Sequence, residues 1–153
     1  MSIPERLAED MKRAMKARDA GRTSCIRMLR SRLLEREVEL RSRHGRDYRI
    51  SDEEALAAIA AYAKQRRDSI AEYEKGGRAD LAAAERAELA IVNEYLPRQL
   101  SAEELRALVA EAVAEAGATT PKDLGAVMKI LAPRTKGVAD GKLVSDLVKA
   151  ALS

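Results

Sequence analysis

The sequence predicts an all-α protein: an N-terminal bundle of about four longer helices followed by a three-helix C-terminal lobe. Three observations predict it. Apolar residues recur at helical spacing in every long segment, and no segment shows the alternation and β-branched enrichment of a strand. Charged residues make up 35% and aromatic residues 3%, with neither Trp nor Phe. The core must therefore be built from Leu, Ile, Val, Ala and Met, which is the composition of helices.

The elements follow in order from caps and stripes. Ser2 with Glu5 forms a capping box, so a first helix should run from there to about Arg18. A long second helix should start after Gly21, with Ile26, Leu29, Leu33 and Leu40 on one stripe and Gly45 at its end. Ser51 with Glu54 opens a third, carrying Leu56, Ile59, Ala63, Ile70 and Tyr73 and ending at Gly76 and Gly77. A fourth should span about Ala79 to Tyr95, and Pro97 marks the clearest boundary. Beyond it, Ser101 with Glu104 opens a fifth helix that follows Leu105, Leu108, Val109, Ala112 and Val113 and stops at Gly117. Thr120 followed by Pro121 starts a sixth, with Leu124, Val127, Met128 and Leu131 inward as far as Pro133. The seventh should begin near Asp140, with Leu143, Val144, Leu147, Val148 and Ala151 as its stripe. Residues 1–96 and 97–153 are thus the expected lobes.

Composition also narrows the function. One cysteine, Cys25, excludes an internal disulfide framework and a cysteine-based zinc site, and suits a reducing compartment. The opening "MSIPERLAEDMKRAMK" is charged every few residues and lacks a secretory apolar stretch, and no 18 apolar residues run together. The expected setting is cytoplasmic, without a membrane span. Net charge is only +3, yet residues 12–49 hold 13 basic and 5 acidic residues. That block is either an anion-binding footprint or the solvated face of a long helix.

Site chemistry has little to stand on. The acid pairs Glu53–Glu54 and Glu103–Glu104 follow serine caps, where carboxylates meet the helix dipole. Cys25 and His44, the sole thiol and sole imidazole, would lie about 28 Å apart on one continuous helix and cannot form a nucleophilic pair; Cys25 reads as a partly buried small side chain. Dispersed carboxylates offer no metal cage, so neither metal nor cofactor is expected.

The segment "APRTKGVADGKLV" at 132–144 is more suggestive. Gly137, Gly141 and Lys142 resemble a nucleotide-binding loop, but three residues rather than four separate the glycines, Leu143 replaces the needed hydroxyl, and no strand precedes it. What survives is a helix start with free N–H groups ringed by Arg134, Lys136 and Lys142, or else a plain solvated turn. On helix two, Arg27, Arg30 and Arg41 flank one side of the apolar stripe and Arg32, Arg36 and Arg43 the other. They suit phosphate contacts, or equally pairing with Glu35, Glu37 and Glu39. All four tyrosines precede Pro97, which disfavours base stacking by the second lobe and leaves backbone contact with a folded RNA.

Four stretches carry a resemblance: "RTSCIRMLRS" at 22–31, "KQRRDSIAEYEKGGRADL" at 64–81, "EYLPRQLSAEEL" at 94–105 and "KDLGAVMKILAPRTKGVADGKLVSDLVK" at 122–149. Together they resemble the GatB/YqeY family in its free-standing, YqeY-like form. The resemblance implies a C-terminal lobe like the tail of the B subunit of the tRNA-dependent amidotransferase, which helps hold tRNA. A similar module is appended to some glutaminyl-tRNA synthetases. The family's basic turn falls on Arg134, Lys136, Gly137, Gly141 and Lys142, and its paired arginines on Arg66 and Arg67; where Val138 stands the family commonly has a basic residue. The leading expectation is a module that binds tRNA, associated with an amidotransferase or an aminoacyl-tRNA synthetase. Alternatives are participation in amide transfer, as carbon–nitrogen ligase activity with glutamine as amido-N-donor, and a helical scaffold for a protein partner.

Overall fold

The computed structural model describes residues 1–153, which are helical with no strand. The helices are α1 (Ile3–Lys16), α2 (Ala20–His44), α3 (Asp52–Lys75), α4 (Ala79–Asn93), α5 (Ala102–Ala116), α6 (Leu124–Thr135) and α7 (Gly141–Leu152). A short 3-10 turn, Pro121–Asp123, precedes α6. The chain divides into two compact units, Met1–Leu96 and Pro97–Ser153.

In the first unit, local chemistry sets the helix starts. Ser2 and Glu5 exchange side-chain and backbone hydrogen bonds, as do Ser51 and Glu54. Each box satisfies two N–H groups that a helix start otherwise leaves open, and the cap alone contributes about 1 kcal/mol. α1 stops at Lys16, short of Arg18, because Ala17 closes it and Arg18 takes a left-handed φ of 56°. α2 begins at Ala20, before Gly21 rather than after it, because the Asp19 carboxylate accepts the Arg22 N–H at 3.0 Å.

Leu7, Ile26, Leu29, Ile59 and Val92, one or two from each helix, are fully buried and form the centre of this unit's core. Tyrosines at its edge keep their rings inward and their hydroxyls on carboxylates: Tyr48 donates to Glu54, Tyr62 to Glu88 and Tyr95 to Asp10. Ring burial is thereby gained without leaving a polar tip unsatisfied.

In the second unit, Ser101 and Glu104 form the third capping box, and Gly117 ends α5 at a left-handed φ of 63°. Pro121 does not start α6 directly. The Asp123 carboxylate accepts the N–H groups of Thr119 and Thr120 at 2.9 and 3.1 Å, tightening one 3-10 turn first. These bonds hold the Asp123 carboxyl below its ordinary range. At its other end α6 runs past Pro133 to Thr135. The proline forfeits one donor, in a last turn where helical bonding is already thinning. Thr135 is buried and its hydroxyl donates to the Leu131 carbonyl at 3.0 Å, keeping that turn closed.

The core of this unit is Leu105, Val109 and Ala112 of α5, Val127 and Leu131 of α6, and Val144, Val148 and Leu152 of α7. α7 is rotated from the stripe its sequence suggests: Leu143 is 47% exposed and Ala151 exposed, while Leu152 is buried. The helix packs on its i, i+4, i+8 row, and Leu143 sits about 100° off that row in the first turn.

Candidate nucleic-acid interface

The α6–α7 connection is a short braced turn. Gly137 adopts a φ of 78°, a conformation strained for any residue with a Cβ. The Val138 carbonyl accepts the Leu100 N–H at 2.8 Å. The Gln99 side-chain amide donates to the Gly137 carbonyl at 3.0 Å and to the Pro97 carbonyl at 2.8 Å. Asp140 is the N-cap of α7 and Gly141 its first residue. Val138 is half-buried, so its backbone braces the turn while its side chain adds no charge.

Arg134 lies on the last turn of α6, and its guanidinium reaches Glu115 of α5 at 2.9 Å. Both partners are about half exposed, so the pair is worth roughly 0–1 kcal/mol and exchanges readily for another anion. Lys136 and Lys142 are exposed and have no carboxylate within 4 Å.

Three residues the sequence reading passed over join them. Lys122, Lys129 and Lys149 are likewise exposed and unpaired. Lys122, Lys129 and Lys136 recur every seven residues, as do Lys142 and Lys149. On α7 seven residues return to within about 20° of the same azimuth, so Lys142 and Lys149 form one row. Lys122 lies in the 3-10 turn and Lys136 is the extended C-cap of α6, which leaves Lys129 alone on that helix. The signal was this spacing, hidden because the turn drew attention to its own residues. Asp146 lies between Lys142 and Lys149 in sequence and ion-pairs with neither.

The first unit treats its arginines differently. Arg66 pairs with Glu85 at 3.1 Å, with both side chains less than a quarter exposed, and its guanidinium sits 5.1 Å from the Tyr62 ring centroid. Arg67 is half-buried and engaged within the protein. Arg41 pairs with Glu37 at 2.8 Å, Arg36 with Glu39 at 2.9 Å and Arg32 with Glu35 at 3.8 Å. Arg43 is exposed. Arg27 has no carboxylate partner, and Arg30 contacts the sulfur of Met11 at 3.4 Å. A buried, hydrogen-bonded arginine loses several kcal/mol if it abandons its partner, so Arg66 is fixed as structure.

Cys25 is buried outright rather than partly, and its thiol faces the Glu88 carbonyl at 3.7 Å. Burial, reinforced by the Glu88 carboxylate, pushes the thiol up to about 12 from 9.0. Above pH 9 the unfolded chain therefore loses a proton that the folded chain keeps, and stability falls as pH rises towards 12. The slope is at most about 1.4 kcal/mol per pH unit. Urea unfolding at about pH 8 and about pH 9.5 should show that fall, and Cys25→Ala should reduce it. His44 stacks on Tyr48 at 4.5 Å, far along α2 from the thiol. No group of three His, Cys, Asp or Glu side chains is gathered to hold a metal ion.

A family described as Yqey-like protein matches residues 4–152. The chain belongs to the YqeY-like family. Among curated proteins it is similar to altered inheritance of mitochondria protein 41, mitochondrial. The Vanderwaltozyma polyspora protein of that name is 31% identical over 90 residues, 59% of this chain and 46% of that protein. The Lachancea thermotolerans counterpart is 39% identical over 93 residues, with the same shares. That of Saccharomyces cerevisiae is 31% identical over 90 residues. The YqeY-like chain spans about half the length of the curated relatives it matches. Those relatives are named as mitochondrial; in this YqeY-like protein no helix is long and apolar enough to cross a membrane.

Proposed function

We propose that the C-terminal unit is a tRNA-affinity module that contacts the RNA backbone through its lysines, Lys136 and Lys142 of the basic turn among them, rather than through the arginines. The observation that carries this reading is the set of five exposed, unpaired lysines of this unit: Lys136 and Lys142 flank a turn whose carbonyls are braced from Gln99 and Leu100, and Lys122, Lys129 and Lys149 lie on the 3-10 turn before α6, on α6 and on α7. Unpaired lysines release counterions when they meet phosphate, whereas arginines already held by carboxylates must first give up a partner. The unit contains no aromatic residue, which fits contact with backbone rather than with unstacked bases. The resemblance of this unit to the tail of the amidotransferase B subunit supports tRNA as the ligand and an amidotransferase or a synthetase as the neighbour.

The test is a titration of the full chain with tRNA across a range of salt. Binding should weaken steeply with salt, about 0.7–0.9 log units per log unit of salt for each phosphate contact. Absence of binding at low salt sinks the reading. Two variants sharpen it. Arg134→Ala should weaken binding by only about twofold, because removing a half-spent cation also frees Glu115. Asp146→Asn should tighten binding by about two- to fivefold, because it removes the carboxylate that interrupts the α7 row. Tightening is a sign of effect that a purely structural role for Asp146 would not give.

A further inference from the structure

The outward face of α2 is unusual for a helix whose opposite side is buried. Ile26, Leu29, Leu33 and Leu40 face the core, while on the far side Leu34 and Val38, one turn apart, are 57% and 53% exposed. Beside them lies a groove of about 390 Å³ with Pro4, Leu33, Leu34 and Ile50 in its apolar wall. Arg27 and Arg30 stand at the same groove, neither held by a carboxylate. Its one acid, Glu37, is already spent: it pairs with Arg41 and Arg49 and accepts the Ile50 N–H at 3.0 Å. The groove is therefore an apolar strip with uncompensated positive charge at one end, the complement of a helix carrying apolar residues and carboxylates.

We propose that this groove on the N-terminal unit docks an acidic amphipathic helix of a partner protein. Apolar residues of the partner at i and i+4 would cover Leu34 and Val38, and its carboxylates would pair with Arg27 and Arg30. Charge argues against a second copy of the chain. Two α2 helices paired antiparallel about Leu34 and Val38 bring Arg27 and Arg30 against the Arg41–Arg43 end of the other copy and set the Glu35–Glu39 stretches against each other. Parallel pairing sets every charge beside its own like. RNA would use the two arginines but leave both aliphatic side chains in water. The proposal is independent of the lysines of the other unit.

A library of helical peptides displayed on phage and selected on the full chain tests it. Enriched peptides should carry apolar residues at i and i+4 flanked by Asp or Glu. As synthetic peptides they should bind with α2 resonances of the outward face shifting in NMR spectra. Leu34→Ser with Val38→Ser should abolish binding. Arg27→Glu with Arg30→Glu should weaken the acidic peptide at least about tenfold and rescue a version with its acids changed to lysine. All four side chains are exposed, so melting temperatures should be unchanged and loss of binding is not loss of fold. Failure to enrich acidic peptides, binding indifferent to these substitutions, or a dimer that Leu34→Ser dissolves would each overturn the proposal. So would tRNA affinity that falls with Arg27→Glu and Arg30→Glu yet ignores Leu34→Ser and Val38→Ser.

Discussion

Changing Lys136, Lys142 and Lys149 together to glutamine should weaken tRNA binding by about 100-fold at moderate salt and flatten the log–log salt dependence by about two to three. The three are exposed and unpaired, so their removal costs the fold no ion pair. Lys142 makes the variant more diagnostic. It occupies the first turn of α7, where a positive charge opposes the helix dipole. Lys142→Gln should therefore raise the melting temperature slightly while it lowers affinity, and a phosphate bound at that helix start would reverse the local penalty. Filter binding over a salt series, with circular dichroism on the same samples, reads both signs at once. An unchanged salt slope in the triple variant would remove these lysines from the interface.

Leu131→Ala should remove most of the stability of the C-terminal unit while leaving the N-terminal unit intact. Leu131 is fully buried in a core of only eight buried side chains. Truncating a buried leucine costs about 2–5 kcal/mol, the cavity included. A unit the size of Pro97–Ser153 has roughly 3–8 kcal/mol in all. Amide exchange read by mass spectrometry should show α5, α6 and α7 exchanging at least about 30-fold faster than in the unaltered chain and the core of α2 and α3 still protected, and tRNA affinity should fall with the folded fraction. Uniform protection across both units would mean that the small core is better supported than its own area allows.

What was legible in the sequence was local. Ser2 with Glu5, Ser51 with Glu54 and Ser101 with Glu104 are each closed within four residues, and all three boxes form. Arg41 with Glu37, at i and i+4, was one of the two readings left open, and it is the one that forms. The misplacements came from packing. Pro133 looked like a stop, but a proline in the final turn costs little when Thr135 is buried and bonded back to Leu131. Arg66 with Glu85 and Arg134 with Glu115 join residues 19 apart on different helices, which no periodicity reveals. The arginines therefore looked available, and three of the unpaired lysines, Lys122, Lys129 and Lys149, were overlooked. Leu34 and Val38 on the far side of the α2 stripe were in plain view, but only burial of the other face made them conspicuous.

The bonds from Leu100 to Val138 and from Gln99 to Gly137 have a consequence for synthesis. They join the first residues of the C-terminal unit to a turn 38 residues later. As the chain leaves the ribosome, α5 emerges with its capping box ready, but the carbonyls that fasten its leading edge do not yet exist. Closing so long a loop carries an entropic cost that neighbouring helical contacts do not. The unit should stay open until the α6–α7 turn and then α7, which brings Val144, Val148 and Leu152 to the core, have cleared the exit tunnel, so a stalled chain ending before Val138 should be protease-sensitive beyond Leu96 and resistant before it.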